Sequence, residues 1–295
     1  MKPEPHQDRR NDAGEWECGR LYVVATPIGN LGDITHRALE VLKSVARIAA
    51  EDTRVTSKLL SHYGVNAPLT AVHAHNEQRA AQALVAALAR GEAVALVTDA
   101  GTPGISDPGA VVVAAVREAG YPVVPIPGPS ALVCALSAAG IAESGHRFVG
   151  FLPAAKGARR QALEALRAEP VTLAFYEAPH RIRAMLEDLV QVLGGERRVT
   201  LARELTKRFE EIHVCALADA AAWLEADAHR EQGEYVVLVA GAPDDGDETA
   251  AEGTRVLELL LRELPVKAAV KLAVEITGAP RNALYAQALA RKNDK

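Results

Sequence analysis

The sequence predicts an α/β protein of two domains followed by a small helical unit, and three observations carry that prediction. Short β-branched runs alternate with helical segments between positions 21 and 139. After Gly145 the alternation gives way to strands linked too closely for crossover helices, and beyond an acidic stretch the chain reads as helical. Its 295 residues leave room for two sizeable cores at roughly 150 residues per domain. With 49% hydrophobic and 24% charged residues, the composition is that of a globular chain and excludes a wholly disordered or fibrous one.

In the first domain, 20–142, strands are expected at 21–26, 48–50, 69–73, 93–98 and 123–126. Helices are expected at 35–44, 53–63, 77–90, 109–119 and 130–139, with Asn76 suited to an N-cap and Gly64, Gly91, Gly120 and Gly140 closing four helices. The run 94–97 is apolar without alternation, as in a parallel sheet covered by helices on both faces. In the second domain, 143–243, strands are expected at 146–151, 171–176, 199–203, 209–215 and 235–240, with helices near 158–168, 181–193 and 218–226. The two strands flanking Thr206 and Lys207 are joined by too short a link for a crossover, which favours an antiparallel hairpin and makes this sheet mixed. Residues 243–252 read as an acidic linker, and 250–295 as a helical tail broken at Leu264-Pro265 and Gly278-Ala279-Pro280.

Residues 1–19 are polar, lack the apolar core of a signal peptide and read as a disordered leader. The apolar-leaning stretch 126–142 is interrupted by Pro127, Gly128, Pro129 and Ser137 and is shorter than the ~20 residues that span a bilayer. Cys18, Cys134 and Cys215 are odd in number and far apart, which fits neither a metal knuckle nor a disulfide framework. A cytoplasmic protein without a membrane span or a metal is expected. The net charge of −5 gives no global attraction to nucleic acid. The tail differs: from position 262 onward seven basic residues (Arg262, Lys267, Lys271, Arg281, Arg291, Lys292, Lys295) face three acidic ones (Glu263, Glu275, Asp294).

Ligands of an open parallel sheet bind outside the carboxyl ends of its strands. The five loops there begin at Thr26, Glu51, His73, Thr98 and Pro127, and all are rich in Gly, Pro or polar groups. In the longest, Gly101, Gly104 and Gly109 permit close backbone approach while Pro103 and Pro108 stiffen the turns, which suits a small polar ligand. It lacks the Lys-Ser/Thr of a phosphate-binding P-loop, and no G-x-G-x-x-G opens the first helix. Asp52 with Arg54 fits acid–base or positioning work, and equally an N-cap. Glu204 and Lys207 carry the same two readings, with Glu210 and Glu211 taken as a solvated face. His73 and His75 alone make a weak metal pair. Ser130, with no His–Asp context, reads as a ligand hydrogen-bonder or a helix start rather than a hydrolase nucleophile.

Seven segments in order resemble one family: Leu21-Tyr-Val-Val-Ala-Thr-Pro-Ile-Gly-Asn-Leu-Gly-Asp-Ile-Thr, Glu51-Asp-Thr-Arg, Thr98-Asp-Ala-Gly-Thr-Pro-Gly-Ile-Ser-Asp-Pro-Gly, Pro127-Gly-Pro-Ser-Ala, Phe148-Val-Gly-Phe-Leu-Pro, Phe175-Tyr-Glu-Ala-Pro-His-Arg and Arg203-Glu-Leu-Thr-Lys-Arg-Phe-Glu-Glu. They are similar to the ribosomal RNA small subunit methyltransferase I family of the tetrapyrrole methylase superfamily. The resemblance implies a tetrapyrrole-methylase-like fold, that of a class III S-adenosylmethionine methyltransferase, with the cofactor in the crevice between the α/β domains. It also implies a homodimer and 2′-O-methylation of cytidine 1402 in 16S rRNA of the small ribosomal subunit. Carried over to this sequence, the cofactor wall comprises Pro27, Gly101, Thr102, Pro103, Ile105, Ser130, Ala131 and Tyr176. The tetrapyrrole-modifying relatives carry Gly-Asp-Pro where this chain has Gly101-Thr102-Pro103.

A ribose hydroxyl needs a proton acceptor, for which Asp52 and Glu204 are the candidates, and a positioning cation, for which they are Lys207 and Arg54. The tail resembles the helix-turn-helix unit that ends this family, suited to phosphate contacts or to packing as a helical pair. Two other readings stay open: a methyltransferase of a small tetrapyrrole or protein side chain, and a non-catalytic RNA-binding assembly factor.

Overall fold

The computed structural model describes residues 19–141, 145–242 and 246–293; the leader expected at 1–19 lies almost wholly outside them. The chain forms two compact units, one comprising the chain up to Glu164 with Thr172–Ala240, the other Ala165–Val171 with the chain from Gly241.

The first unit contains two five-stranded sheets. Its amino-terminal sheet is built from β1 (Leu21–Val24), β2 (Arg47–Ala50), β3 (Leu69–Ala71), β4 (Val94–Val97) and β5 (Val123–Ile126). All neighbours are parallel, in the order β3-β2-β4-β1-β5. The intervening helices are α1 (His36–Ser44), α2 (Thr53–His62), α3 (Glu77–Ala89) and α4 (Ala110–Glu118). Because successive side chains of a strand point to opposite faces, Val94 and Leu96 enter a core with Leu84, Leu88, Val112 and Val116, whereas Ala95 and Val97 enter one with Tyr22, Leu42 and Ile48. Every residue of β4 is buried, as its unbroken apolar run predicts. Truncating Leu96 to Ala would cost about 2–5 kcal/mol.

The second sheet comprises β6 (His146–Phe151), β7 (Thr172–Glu177), β8 (Arg198–Arg203), β9 (Glu211–Ala216) and β10 (Tyr235–Val239), in the order β6-β7-β10-β8-β9. Only β6 and β7 are parallel, and β8 and β9 form the antiparallel hairpin required by their short link. Helices α6 (Lys156–Glu164), α7 (Ile182–Leu193) and α8 (Leu217–Glu225) cover it. The buried Asp188 carboxylate ties α7 to α6 by accepting from Arg159 at 2.7 Å and Arg160 at 2.6 Å. Helix α5 (Ala131–Ala138), which follows β5, packs on the second sheet through Leu132 and Ala135 against Ala174, Ala202, Val236 and Leu238. The loop after β5 is thereby anchored to both sheets.

The second unit holds α9 (Gly246–Leu260), α10 (Val266–Thr277) and α11 (Arg281–Asn293) around Leu257, Val270, Ala273, Leu284 and Ala288. The breaks fall where expected: Pro265 precedes α10, and Gly278 closes it at φ 72°. The acidic linker expected at 243–252 is corrected, because from Gly246 onward it is already α9. Glu248, Ala250, Ala251 and Glu252 are good helix formers by intrinsic propensity. Of the solvated face expected at Glu210 and Glu211, Glu210 is exposed as expected, whereas Glu211 is corrected, being half-buried in an ion pair. Glu211 pairs with Arg230 at 2.8 Å, while Glu210 accepts from the Thr206 N–H at 2.6 Å. Asn76 occupies the N-cap position of α3, but its side chain accepts from the His73 N–H instead of capping the helix. Among the described residues no helix is long and apolar enough to cross a membrane.

Candidate active site

A cavity of about 280 Å³ lies within the first unit. One wall is the β4–α4 loop, with Ala100, Gly101, Thr102, Ile105, Ser106 and Asp107, joined by Ile28 after β1 and by Ser130 and Ala131 after β5. The opposing wall comes from the second sheet: Phe151 and Tyr176, the β8–β9 loop with Glu204, Leu205 and Lys207, and Glu234 at the start of β10.

The first wall is held by its backbone. Thr26 and Gly101 exchange N–H···O bonds of 2.9 and 3.0 Å, and the Thr102 hydroxyl donates to the Pro129 carbonyl at 3.1 Å. Gly101 adopts φ 79°, and a Cβ there would point at Ile28, 3.5 Å away. The far end of the loop is held by Glu77, the first residue of α3. Its carboxylate accepts from the Gly109 and Val111 N–H groups at 2.7 and 3.1 Å and so caps α4 from outside. On the second sheet, the Tyr176 hydroxyl accepts from the Leu132 N–H at 3.2 Å, satisfying a free donor in the first turn of α5. Its ring meets Phe148 and Phe151 edge-on. Burial raises the pKa of this phenol, which therefore stays protonated.

The β8–β9 loop is organised by charge. Lys207 Nζ lies 2.8 Å from Glu204 and 2.9 Å from Glu234, and the Glu234 N–H also donates to the Glu204 carboxylate at 3.0 Å. Burial works against both ions, yet the partners prevail: Glu204 is held below the usual carboxylate range and Lys207 above its ordinary value. The first-domain loop approaches so closely that a Cβ on Gly29 would sit 2.4 Å from the lysine stem. Beneath the wall, the Arg203 guanidinium donates to the carbonyls of Gln232 and His229 at 2.6 Å each.

Among the described residues three that are not glycine have positive φ: Ser106 (65°), Glu204 (50°) and Thr206 (66°). All three belong to the two loops that face each other across the cavity. Such strain persists only where the surroundings over-determine it, and it concentrates at functional sites.

Of the residues singled out in the sequence, the structure brings Gly101, Thr102, Ile105, Ser130, Ala131, Tyr176, Glu204 and Lys207 together around the cavity. Pro27 and Pro103 are buried in the loops behind it. Asp52 and Arg54 lie outside the lining. The Asp52 carboxylate caps α2, accepting from the Arg54 N–H at 2.8 Å, and holds the guanidinium at 2.5 Å. Hydrogen bonds from Arg54 keep its carboxyl far below the usual range, while the Arg54 side chain is 86% exposed. His73 and His75 contact each other ring edge to ring face, and among the described residues no three His, Cys, Asp or Glu side chains form a metal-binding group.

Sequence reasoning missed Asp107, Glu177, Glu234, Phe151 and the capping Glu77. Asp107 sits inside the Gly/Pro-rich loop already singled out and Glu177 follows Tyr176, so both were within reach; Glu77 and Glu234 carry no local signal. Glu204 and Glu234 together outweigh the single ammonium of Lys207, which favours a cationic ligand, alongside apolar surface and an aromatic ring.

The sequence profile of the Tetrapyrrole (Corrin/Porphyrin) Methylases matches residues 20–221, and that of the RsmI C-terminal HTH domain matches 247–292. The ribosomal RNA small subunit methyltransferase I of Escherichia coli O157:H7 is 52% identical over 95% of this chain and 98% of its own. Its namesake in Pseudomonas aeruginosa is 52% identical over 93% and 98%. Among solved structures, the uroporphyrin-III-C-methyltransferase of Thermus thermophilus aligns over 78% of this chain and 98% of its own, with a TM-score of 0.54 at 20% identity. The cobalt precorrin-4 methyltransferase CbiF aligns over 75% and 95%, with a TM-score of 0.56 at 16% identity. The two structural likenesses establish the fold, and the two sequence relatives establish the membership: the chain belongs to the ribosomal RNA small subunit methyltransferase I family within the tetrapyrrole methylases, and it is a methyltransferase.

Proposed function

We propose that the protein transfers a methyl group from S-adenosylmethionine to the ribose 2′-hydroxyl of cytidine 1402 in 16S rRNA of the small ribosomal subunit, as a cytoplasmic homodimer. The observation that carries this reading is the cavity, whose excess of carboxylates suits a sulfonium and whose strained loops come from both sheets. Gly101, Thr102, Ile105, Ser130, Ala131 and Tyr176 would hold the cofactor, with Pro27 and Pro103 stiffening the loops behind them. When bound, it supplies an electrophilic methyl group and leaves as neutral S-adenosylhomocysteine.

The protein's task is then to align the hydroxyl and exclude water. Lys207, held by Glu204 and Glu234, would position the ribose or its phosphate at the cavity. Asp52 and Arg54 support the loop after β2 through the cap on α2 rather than touching the ribose. The basic residues of the tail suit RNA phosphates, which the acidic balance of the whole chain would repel.

The test is incubation of unmodified small subunits with isotopically labelled S-adenosylmethionine, followed by mapping of the modified nucleotide. A single 2′-O-methyl at cytidine 1402 is expected. A methyl on the base, at another nucleotide or on a protein would overturn the reading.

A further inference from the structure

We propose that Asp107 is the catalytic proton acceptor for the ribose 2′-hydroxyl, a role that rests on the methylation reading above. The carboxylates at the cavity differ in their partners. Glu204 and Glu234 share Lys207, and Glu177 lies buried with its Oε1 3.1 Å from Arg181 and accepting from the Ala178 N–H at 2.9 Å, while its Oε2 has no partner among the described residues but is closed off from solvent. Asp52 is outside the lining and bound to Arg54. Asp107 lines the cavity with neither an ion pair nor a hydrogen bond among the described residues, so its lone pairs remain available to an incoming hydroxyl.

Its backbone holds it in place. Ser106 before it adopts φ 65°, and Pro108 after it restricts Asp107 to extended conformations. The β6 register shift between Phe148 and Gly150 brings a glycine at φ 75° against Ser106, where a Cβ would lie 3.0 Å from the serine hydroxyl. A strained residue, a proline and a bulge on the opposing sheet thus converge on a single side chain.

The groups that face Asp107 favour basicity. Glu51 at the end of β2 and Asp99 after β4 repel its negative charge, and Tyr176 on β7 contributes a neutral phenol. Burial first, and then Glu51 and Asp99, push the Asp107 carboxyl up to about 6. A base near the working pH combines ionisation with affinity for the proton. In the step, Asp107 takes the 2′-hydroxyl proton as the new O–C bond forms, and the electron pair of the broken S–C bond stays on sulfur. The carboxylic acid then returns its proton to water.

The experiment measures turnover on unmodified small subunits together with calorimetric affinities for S-adenosylmethionine and S-adenosylhomocysteine. Asp107→Asn is expected to lower kcat about 10²–10⁴-fold and to leave both affinities within about threefold. Asp107→Glu should recover part of the loss. In the wild type kcat/KM should rise with pH through a limb near 6, and that limb should be absent in Asp107→Asn. Turnover of Asp107→Asn near the wild-type rate would overturn the proposal while leaving the methylation reading intact. So would a selective loss of S-adenosylmethionine affinity, which would make Asp107 a holder of the cation. A wild type that methylates no small subunit overturns both. If Asp107→Asn binds neither ligand, the pH profile decides: a flat wild-type profile refutes the assignment, and an acid limb that shifts in Asp107→Glu upholds it.

Discussion

Two acid–base pairs look alike in the sequence and differ in the structure. Asp52 with Arg54 and Glu204 with Lys207 each follow a strand and stand two or three residues apart. The side chains of the first pair are local, a regular N-cap with a guanidinium in solvent, and its long-range tie is made by the backbone, the Asp52 N–H donating to the Asp99 carboxylate at 3.0 Å. The second is tertiary, with Lys207 bridging carboxylates 27 and 3 residues away, left-handed backbone at Glu204 and Thr206, and a glycine loop from the other sheet pressed against the lysine stem. Spacing reports that a pair forms. Strain and long-range partners report that the pair is held where it is for a reason beyond itself.

Removing the cation from each pair tests that contrast most severely. Lys207→Met leaves Glu204 and Glu234 facing the cavity without a counter-charge and removes the positioning group, so kcat/KM on small subunits should fall about 10²-fold. Arg54→Met removes an exposed guanidinium whose surface ion pair carries little energy, and turnover should stay within about twofold. Equal effects in the two variants would erase the distinction.

Glycines sharpen it. Gly233 adopts φ 83°, and an added Cβ would lie 2.4 Å from Glu204 Cγ and 2.7 Å from its carboxylate oxygen. Because Lys207 and the Glu234 N–H fix that carboxylate, Gly233→Ala should combine a backbone penalty of about 1 kcal/mol with displacement of the pair, lowering turnover about tenfold. Gly64, which ends α2 at φ 63°, has nothing within 4 Å of its missing Cβ. Gly64→Ala should show the backbone penalty alone, as a lower Tm with unchanged turnover.

The same division explains what was legible in the sequence. The five parallel strands were, because a run such as Val94 to Val97, buried on both faces, needs no alternation and no partner to be recognised. The β8–β9 hairpin was, because a short link forbids a crossover. Five loops could be singled out by their glycines, prolines or polar groups, yet of these only the ones after β1, β4 and β5 line the cavity. Which residues complete the site was not legible. Glu77 caps α4 from 32 residues away, Glu234 meets Lys207 across the sheet, and the significance of Asp107 lies in the lack of a partner, which no motif expresses. The helix from Gly246 was hidden by Asp and Gly residues that read as linker while the helix formers among them prevailed.

The smallest expected effect concerns Asp52, and it completes the comparison. If its carboxylate serves the α2 cap alone, Asp52→Ala leaves turnover and cofactor affinity within about twofold and alters only stability. Its carboxyl is held below its ordinary value chiefly by the Arg54 hydrogen bonds. A depressed carboxyl stabilises the fold above its unfolded pKa of about 3.9, and that contribution is lost as the pH falls through the lower folded value. The Tm gap between wild type and Asp52→Ala should therefore be constant near neutrality and narrow below about pH 4. Thermal melts across that range check this directly. A gap that stays constant into acid would mean that the charged cap is not what Asp52 contributes, and a fall in turnover at neutral pH would return Asp52 to the chemistry.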